Sequence, residues 1–240
     1  MTKPVYQRVL LKISGEALSG GKGSGLDFEM IGNVCDVIKE CLDMGVQVGL
    51  VVGGGNFWRG AKNSGGGKME RTRADHIGML ATVMNCIYMS EICRSVGLMT
   101  QVLTPFSCGS FTKLFSKDRV NKYLGKGMVV FFAGGTGHPY FSTDTATALR
   151  AIEIDADIIL AAKSIDGVYD CDPAVNPDAK KYDSMQMADI VDNKLGVVDL
   201  AAAVLCLENK MPMLIFGLNE ENSIANAVAG KSNGTIITVD

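Results

Sequence analysis

The chain has 240 residues, of which 47% are hydrophobic and 20% are charged, so it can build a full hydrophobic core and is not a disordered protein. The net charge of −3 at pH 7 excludes the excess of Lys and Arg that nucleic-acid binding needs, and we predict no nucleic-acid partner. The seven cysteines include no C-x-x-C pair, which argues against a zinc site. No signal-peptide pattern and no apolar run of membrane-spanning length is found, so we expect a cytoplasmic protein without membrane contact.

Short β-branched segments alternate with helical patterns along the chain, which predicts the α/β class: a three-layer αβα sandwich with a central, mostly parallel sheet. Each predicted strand is short and apolar on both faces, as buried parallel strands are. The strands are expected at residues 8–13, 46–52, 99–103, 128–133, 157–161, 213–216 and 235–239. We expect a single domain over residues 1–240, with an N-terminal lobe of about 1–160 and a C-terminal lobe of about 161–240.

Three helices are predicted most clearly. The first follows an Asp27 N-cap and ends at Gly45, with apolar residues recurring at steps of three and four. The second is expected from about Asp75 to Val96, and the third is expected to begin near Thr143. The polar, glycine-rich residues 62–68 are predicted to form a loop.

Two strand ends carry groups that suit an anion. Lys12 lies inside an apolar strand, and because burial of a lysine is costly, it either faces solvent from an edge strand or faces an anionic ligand. The second strand is followed by the glycine triplet 53–55 and then by Arg59. Glycines let backbone N–H groups approach an anion, and arginine can bind two phosphate oxygens at once, although the triplet alone is also compatible with a tight turn.

Two further segments follow predicted strands. Residues 134–145 supply hydroxyl and N–H groups at the start of a helix, where anions are stabilised, although Thr143 or Asp144 is also a suitable helix cap. Residues 165–173 place Tyr169 and Asp172 on a loop, where an aromatic ring can flank a base. Open α/β sheets bind ligands at the carboxyl ends of their strands, so the four segments together predict a phosphate-ligand site. P-loop and G-x-G-x-x-G patterns are absent.

In order, and over nearly the whole chain, these segments resemble the bacterial UMP kinases of the amino acid kinase family. The matching runs are LLKISGEAL (10–18), VGGGNFWRG (52–60), ADHIGMLATVMN (74–85), GTGHPYFSTDTA (135–146), IDGVYDCDP (165–173) and VVDLAA (197–202). The run at 74–85 is the most specific, because it separates this branch from kinases of amino acids and carbamate that share the fold. Two places depart from the pattern: His138 stands where the family usually has Asn, and residues 161–164 differ from the family's pattern.

The resemblance implies an amino acid kinase-like fold and an enzyme that transfers the γ-phosphate of ATP to UMP, giving UDP in pyrimidine nucleotide biosynthesis. It implies Mg²⁺ carried by ATP with no metal bound directly by the protein, and a homohexamer that GTP activates and UTP inhibits. The implied ATP-binding residues are Lys12, Ile13, Ser14, Gly15, Gly55, Arg59, Lys163, Tyr169 and Asp172. The implied UMP-binding residues are Gly54, Asp75, Thr136, Gly137, His138, Pro139, Tyr140, Phe141, Ser142 and Thr143. The stretch linked to GTP consists of Gly23, Ser24, Gly25, Leu26 and Asp27, although a glycine-rich loop before a capped helix has the same composition.

The residues expected to act in catalysis are Lys12, Arg59, Asp144 and Asp199. A nucleoside monophosphate has a second phosphate pKa of about 6, so the nucleophile is already ionised at pH 7 and no general base is required. Phosphoryl transfer then depends on positioning and on neutralisation of negative charge. We expect the two cations to neutralise the phosphoryl group and Asp144 to orient Lys12. Asp199 either helps to position Lys12 or metal-bound water, or only caps a helix.

Asp75 is expected to accept hydrogen bonds from ribose hydroxyls, or else to serve only as a first-turn acid on its helix. Three other interpretations compete with a UMP kinase: a kinase of a carboxylate or carbamate, a non-catalytic nucleotide-binding or oxyanion-binding protein, and a purely structural oligomer. Asp75 argues against the first, since a small acid would favour a cation there. The joint presence of Lys12, Arg59 and Asp144 argues against the second, and the third leaves the charged strand ends unexplained.

Overall fold

The computed structural model describes residues 3–58, 69–193, 195–218 and 222–239. Arg59 and the predicted loop at 62–68 lie outside the described residues. The strands are β1 (Arg8–Ile13), β2 (Gln47–Val52), β3 (Thr100–Thr104), β4 (Lys113–Leu114), β5 (Val129–Phe132), β6 (Ile158–Lys163), β7 (Val168–Tyr169), β8 (Lys181–Tyr182), β9 (Ser184–Gln186), β10 (Met213–Gly217) and β11 (Thr235–Thr238). The helices are α1 (Phe28–Asp43), α2 (Arg71–Ser95), α3 (Lys117–Leu124), α4 (Thr143–Glu153), α5 (Met187–Asp192), α6 (Leu200–Glu208) and α7 (Ser223–Val228), with a short 3₁₀ helix at Ala17–Lys22.

Nine of these strands form one sheet, in the order β4-β3-β5-β2-β1-β6-β10-β11-β9. Neighbouring strands are parallel, except that β11 runs antiparallel to β10. The strands β7 and β8 form a separate antiparallel hairpin. The predicted α/β class with a mostly parallel sheet is therefore confirmed, and the predicted strands are found with ends shifted by at most two residues.

Side-chain alternation along the strands divides the core into two layers. On β1, Val9, Leu11 and Ile13 pack into a cluster with α1, α2 and α7. Leu10 points to the opposite face and packs with α3, α4, α5 and α6. Because successive residues of a strand face opposite sides, Lys12 shares the face of Leu10 and points toward the layer that contains α4.

The helix starts both confirm and correct the predictions. Asp27 is the N-cap of α1, and its Oδ1 accepts a hydrogen bond from the Met30 N–H at 3.1 Å. The start of α2 was predicted too late: the helix begins at Arg71, so Asp75 lies one turn inside it and is not a first-turn acid. The cap of α4 is Ser142 rather than Thr143 or Asp144, because the Ser142 hydroxyl accepts the free N–H groups of the first turn.

Within the described ranges, we find no helix that is both long and apolar enough to cross a membrane.

Candidate active site

The centre of the site is an ion pair between β1 and α4. Lys12 is 8% exposed, and its Nζ lies 3.0 Å from Oδ1 of Asp144 in the first turn of α4. An edge-strand lysine that points to solvent is excluded, because β1 pairs with β2 on one side and β6 on the other. The carboxylate of Asp144 offsets the cost of burying the lysine charge and fixes its position.

A second lysine lies on the same face of the sheet. Lys163 ends β6, two residues after Ala161, which pairs with Lys12, and its Nζ donates a hydrogen bond to the carbonyl oxygen of Val197. Burial lowers the pKa of Lys163, the nearby Asp144 carboxylate opposes this, and the positive charge of Lys12 adds to the lowering. Lys12, Lys163 and Asp144, from β1, β6 and α4, are referred to below as the charge cluster.

The glycine triplet contacts the turn after β1 at close range. A Cβ atom on Gly15 would lie 2.5 Å from the Gly53 carbonyl oxygen and 2.6 Å from the Gly55 nitrogen. Real Cβ atoms do not approach backbone this closely, so glycine is required at position 15 for the two loops to meet. The structure therefore brings the first and second predicted segments together.

Two buried amides, which the sequence did not reveal as site residues, hold the triplet in place. Asn85, on α2, donates to the carbonyl oxygen of Gly53 at 2.6 Å and to Oδ1 of Asn56 at 2.8 Å. Asn56 in turn donates to Oδ1 of Asn85 at 3.1 Å and to the carbonyl oxygen of Gly25 at 2.7 Å. Both amides are nearly inaccessible to solvent, and paired buried polar groups of this kind rigidify a structure.

Thr82 connects α2 to the third segment. Its hydroxyl donates to the Met79 carbonyl oxygen at 2.7 Å and accepts the Gly134 N–H at 2.8 Å. The sequence signal for Thr82 and Asn85 was weak: both are polar residues inside the specific run at 74–85, at positions where an interior helix face would otherwise be apolar. The resemblance assigned neither of them a role.

The second and third segments and α2 enclose a cavity of about 250 Å³. Most of the residues predicted to bind UMP line it, namely Gly54, Asp75, Thr136, His138, Phe141, Ser142 and Thr143. Three others, Gly137, Pro139 and Tyr140, belong to the same segment but are not among the lining residues. Gly55, predicted on the ATP side, also lines this cavity. We refer to it below as the acceptor cavity.

A second cleft, of about 490 Å³, opens beside the end of β6. Lys163, Tyr169 and Asp172, all predicted on the ATP side, line it. The prediction that Tyr169 lies on a loop was wrong: it ends β7, because the chain turns back and pairs with β8, which strand-length patterns do not reveal. Its hydroxyl donates to Oδ1 of Asp166 at 2.7 Å. We call this space the donor cleft.

The turn after β1 lies between these two spaces. The Ile13 side chain is fully buried in the core, so only its backbone can face a ligand. The Ser14 hydroxyl accepts the Ala17 N–H at 3.2 Å. The predicted residues Lys12, Ile13, Ser14 and Gly15 therefore form one continuous strand end and turn beside the charge cluster.

Asp199 is the N-cap of α6. One carboxylate oxygen accepts the Ala202 N–H at 2.9 Å, and the carboxylate also accepts the hydroxyls of Thr145, at 2.9 Å, and of Ser142. These bonds join the starts of α4 and α6 next to Asp144. Asp199 thus caps α6, and its carboxylate also binds the start of α4.

The stretch from Gly23 to Asp27 contacts the loop after the glycine triplet. The Gly25 N–H donates to the Asn56 carbonyl oxygen at 3.2 Å, and φ of Gly25 is +77°, a left-handed conformation that favours glycine. Asp27 combines its cap role with an ion pair to Lys22 at 3.5 Å. The stretch is therefore both a turn before a capped helix and a neighbour of the loop after the glycine triplet.

The sequence pattern of the amino acid kinase family matches residues 7–217, a range that contains all four predicted segments. The chain belongs to the amino acid kinase family. Among solved structures, the UMP kinase from Bacillus anthracis superimposes on this chain with a TM-score of 0.93 and 32% sequence identity, covering 98% of this chain and 97% of that chain.

Two further structures extend the comparison. The UMP kinase from Ureaplasma parvum gives a TM-score of 0.91 and 35% identity, over 99% of this chain and 100% of that chain. The uridylate kinase from Archaeoglobus fulgidus gives a TM-score of 0.75 and 27% sequence identity, over 96% of this chain and 99% of that chain. The resemblance to bacterial UMP kinases predicted from the sequence is confirmed by these comparisons.

Proposed function

We propose that this member of the amino acid kinase family transfers the γ-phosphate of ATP to UMP, giving UDP, and acts in pyrimidine nucleotide biosynthesis. The observation that carries the proposal is the position of the acceptor cavity, which opens beside the buried Lys12–Asp144 pair on a fold that matches UMP kinases over its whole length. Thr143 of the acceptor cavity directly precedes Asp144, and Lys163 of the donor cleft belongs to the same charge cluster. Both spaces therefore adjoin one set of charges, as a phosphoryl transfer between two nucleotides requires.

The chemistry of the acceptor cavity supports a nucleoside monophosphate. Asp75 offers a carboxylate that accepts hydrogen bonds from ribose hydroxyls. The hydroxyl of Thr143 and the backbone of Gly54 suit phosphate oxygens at the other end of the ligand. Phe141 is half exposed and can flank a base. A carboxylate or carbamate acceptor would instead be repelled by Asp75.

Catalysis follows from charge neutralisation. The acceptor phosphate is mostly a dianion at pH 7 and attacks without a general base. Lys12, fixed by Asp144, neutralises charge on the transferring phosphoryl group, and Lys163 contacts the donor phosphates from the same face of the sheet. Arg59, which lies outside the described residues, is proposed as a further phosphate ligand, and Asp199 keeps the starts of α4 and α6 together.

We further propose that Mg²⁺ enters with ATP. Oxygen ligands are those that Mg²⁺ prefers, and the ion usually keeps several waters together with phosphate oxygens. In the part of the chain that the structure describes, no group of three or more His, Cys, Asp or Glu side chains could hold a metal ion. Asp144 and Asp199 supply carboxylates that fit such an ion, through water, because each already binds a protein partner. The ion adds positive charge to the phosphate chain.

In this proposal the N-terminal lobe, about 1–160, binds UMP, and the C-terminal lobe, about 161–240, binds ATP in the donor cleft. Within the donor cleft, Tyr169 flanks the adenine and Asp172 accepts hydrogen bonds from the nucleotide. We also propose that the reaction takes place in the cytoplasm. We also propose activation by GTP and inhibition by UTP. The bonds between Gly25 and Asn56 support the GTP part, since they connect the stretch at 23–27 to the loop after the glycine triplet.

An ADP-release assay with UMP, CMP, acetylglutamate and carbamate as separate acceptors tests the function. We expect the highest kcat/KM with UMP. Faster turnover of carbamate or acetylglutamate would contradict the proposal. A thermal shift with UMP and ATP but no ADP release from any acceptor would favour a non-catalytic binding protein, and no shift at all would favour a structural oligomer.

The exposed face of α2 supports self-association. Ile77, Leu80, Met84 and Ile87 follow one another at helical steps, and each is between 37% and 53% exposed. A contiguous apolar row on the surface marks a protein–protein contact more often than a solvated face. We propose that this row, the α2 apolar row, is one contact surface of a homohexamer.

The double variant Leu80→Glu with Met84→Glu tests this surface. Introducing two charges into an apolar contact desolvates them without partners, so we expect the oligomer to dissociate to a smaller species. Light scattering coupled to size-exclusion chromatography measures the mass. Lys122→Glu, an exposed change on α3 on the other face of the sheet, is the control and should keep the parental mass. An unchanged mass for the double variant would show that the α2 apolar row is not an oligomer contact.

A further inference from the structure

We propose that Arg71 is a positioning residue of the acceptor site, which fixes the Asp75 carboxylate and the chain at Tyr140 and so determines selectivity for the ribose. The inference rests on the proposed function and deepens it. Neither the sequence motifs nor the resemblance pointed to Arg71. It lies in the first turn of α2, one turn before Asp75.

The contacts of Asp75 carry the proposal. The Arg71 Nε–H group lies 2.8 Å from each of the two carboxylate oxygens of Asp75. The Tyr140 N–H donates to Oδ2 of the same carboxylate at 2.8 Å. The Asp75 side chain is 15% exposed and lines the acceptor cavity, whereas Arg71 is half exposed. Arg71 is not among the residues that line the cavity, so it acts on the cavity through the Asp75 carboxylate.

Tyr140 shows why this contact matters. Its φ is +72°, a left-handed conformation that is costly for a residue with a side chain and that persists only where surrounding contacts impose it. Two contacts do so: its N–H is bound by Asp75, and the Arg71 guanidinium lies 5.4 Å from the centre of its ring. Through these contacts Arg71 connects α2 to the 136–143 segment, and residues of both line the acceptor cavity.

The fixed carboxylate can recognise a sugar. An ionised carboxylate has about four acceptor positions, so the bonds from Arg71 and Tyr140 leave capacity for a ribose hydroxyl. Without Arg71, the Asp75 side chain is free to rotate, and the hydroxyl loses an acceptor of defined direction. An i,i+4 ion pair whose arginine is half exposed contributes little to stability, so the effect is expected in substrate binding rather than in folding.

The experiment compares Arg71→Gln, Asp75→Asn and the double variant in the full-length enzyme, with UMP and 2′-deoxy-UMP as acceptors. For Arg71→Gln we expect KM for UMP to rise about tenfold, the loss of roughly one charge-assisted hydrogen bond, with kcat within about twofold of the parent. We also expect a reduced preference for UMP over 2′-deoxy-UMP and an unchanged melting temperature. The KM of the double variant for UMP should be no higher than that of Asp75→Asn alone, because both changes remove the same interaction.

Arg73→Gln is the matched control, since Arg73 is exposed on the same turn of α2 and should leave KM and the UMP preference unchanged. The KM of Arg71→Lys for UMP should lie between those of the parent and Arg71→Gln, because lysine keeps the charge but not the planar geometry. A parental KM and UMP preference in Arg71→Gln, or fully additive effects in the double variant, would overturn the proposal while leaving the kinase function intact. If the parent itself releases no ADP with UMP, the proposed function fails and this inference fails with it.

Discussion

Replacement of Lys12 by alanine is expected to lower kcat by about 10²- to 10³-fold, as measured by steady-state ADP release at saturating UMP and ATP. The loss is large because a cation fixed in a buried position needs no reorganisation when charge develops on the phosphoryl group. We expect KM for UMP to change far less, since the acceptor cavity is lined by other residues. The lysine should therefore act on the transition state rather than on substrate binding.

The control for Lys12→Ala is Lys39→Ala, which removes an exposed lysine on α1 that pairs with the exposed Asp43. It should retain parental kcat. Circular dichroism and melting temperature distinguish a catalytic loss from unfolding. A parental turnover number for Lys12→Ala would refute its role in charge neutralisation.

The second large effect is expected for Asp144→Asn. This change keeps the shape of the side chain but leaves the buried Lys12 charge without its carboxylate, which costs about 3 kcal/mol or more when the pair is shielded from water. We expect a lower midpoint in urea unfolding together with a kcat reduced by about 10²-fold, because the lysine loses its fixed direction.

A double variant separates the two effects of Asp144. Adding Lys12→Met to Asp144→Asn removes the unpaired charge, so the urea midpoint should recover toward that of the parent while activity stays low. If Asp144→Asn alone kept both the midpoint and kcat, the ion pair would be incidental. If stability did not recover in the double variant, the cost would lie in packing around α4 rather than in the buried charge.

Much of the fold could be predicted because its strands are long enough to show an apolar pattern. The predicted bounds of β1 match those observed, and the other six predicted strands shifted by at most two residues. The two-residue strands β4, β7 and β8 carry no periodicity of their own and form only because a neighbouring strand is in place. The sequence likewise placed the start of α2 too late, since Arg71 forms part of the helix without any cap signal.

The parts of the site that lie at strand ends could be predicted from the sequence. All four segments follow strands, and parallel strands end at one edge of a sheet, so Lys12 and Asp144 could be expected to meet. The supporting contacts could not be read from the sequence. Arg71 and Asp75 resemble an ordinary surface pair on a helix, and the partner that gives them a role, Tyr140, lies in a distant segment. The amide pair of Asn56 and Asn85 also joins two separate segments.

The central position of β1 has a consequence for how the molecule is assembled. During synthesis β1 can pair with β2 early, but its other neighbour is β6, where Val9 meets Ile158. Parallel pairing over such a long separation is slow, because a large loop must close before any hydrogen bond between the two strands can form. Until then one edge of β1 stays open and is able to join strands of other chains. Lys12 is thus enclosed on both sides only after two thirds of the polypeptide has left the ribosome.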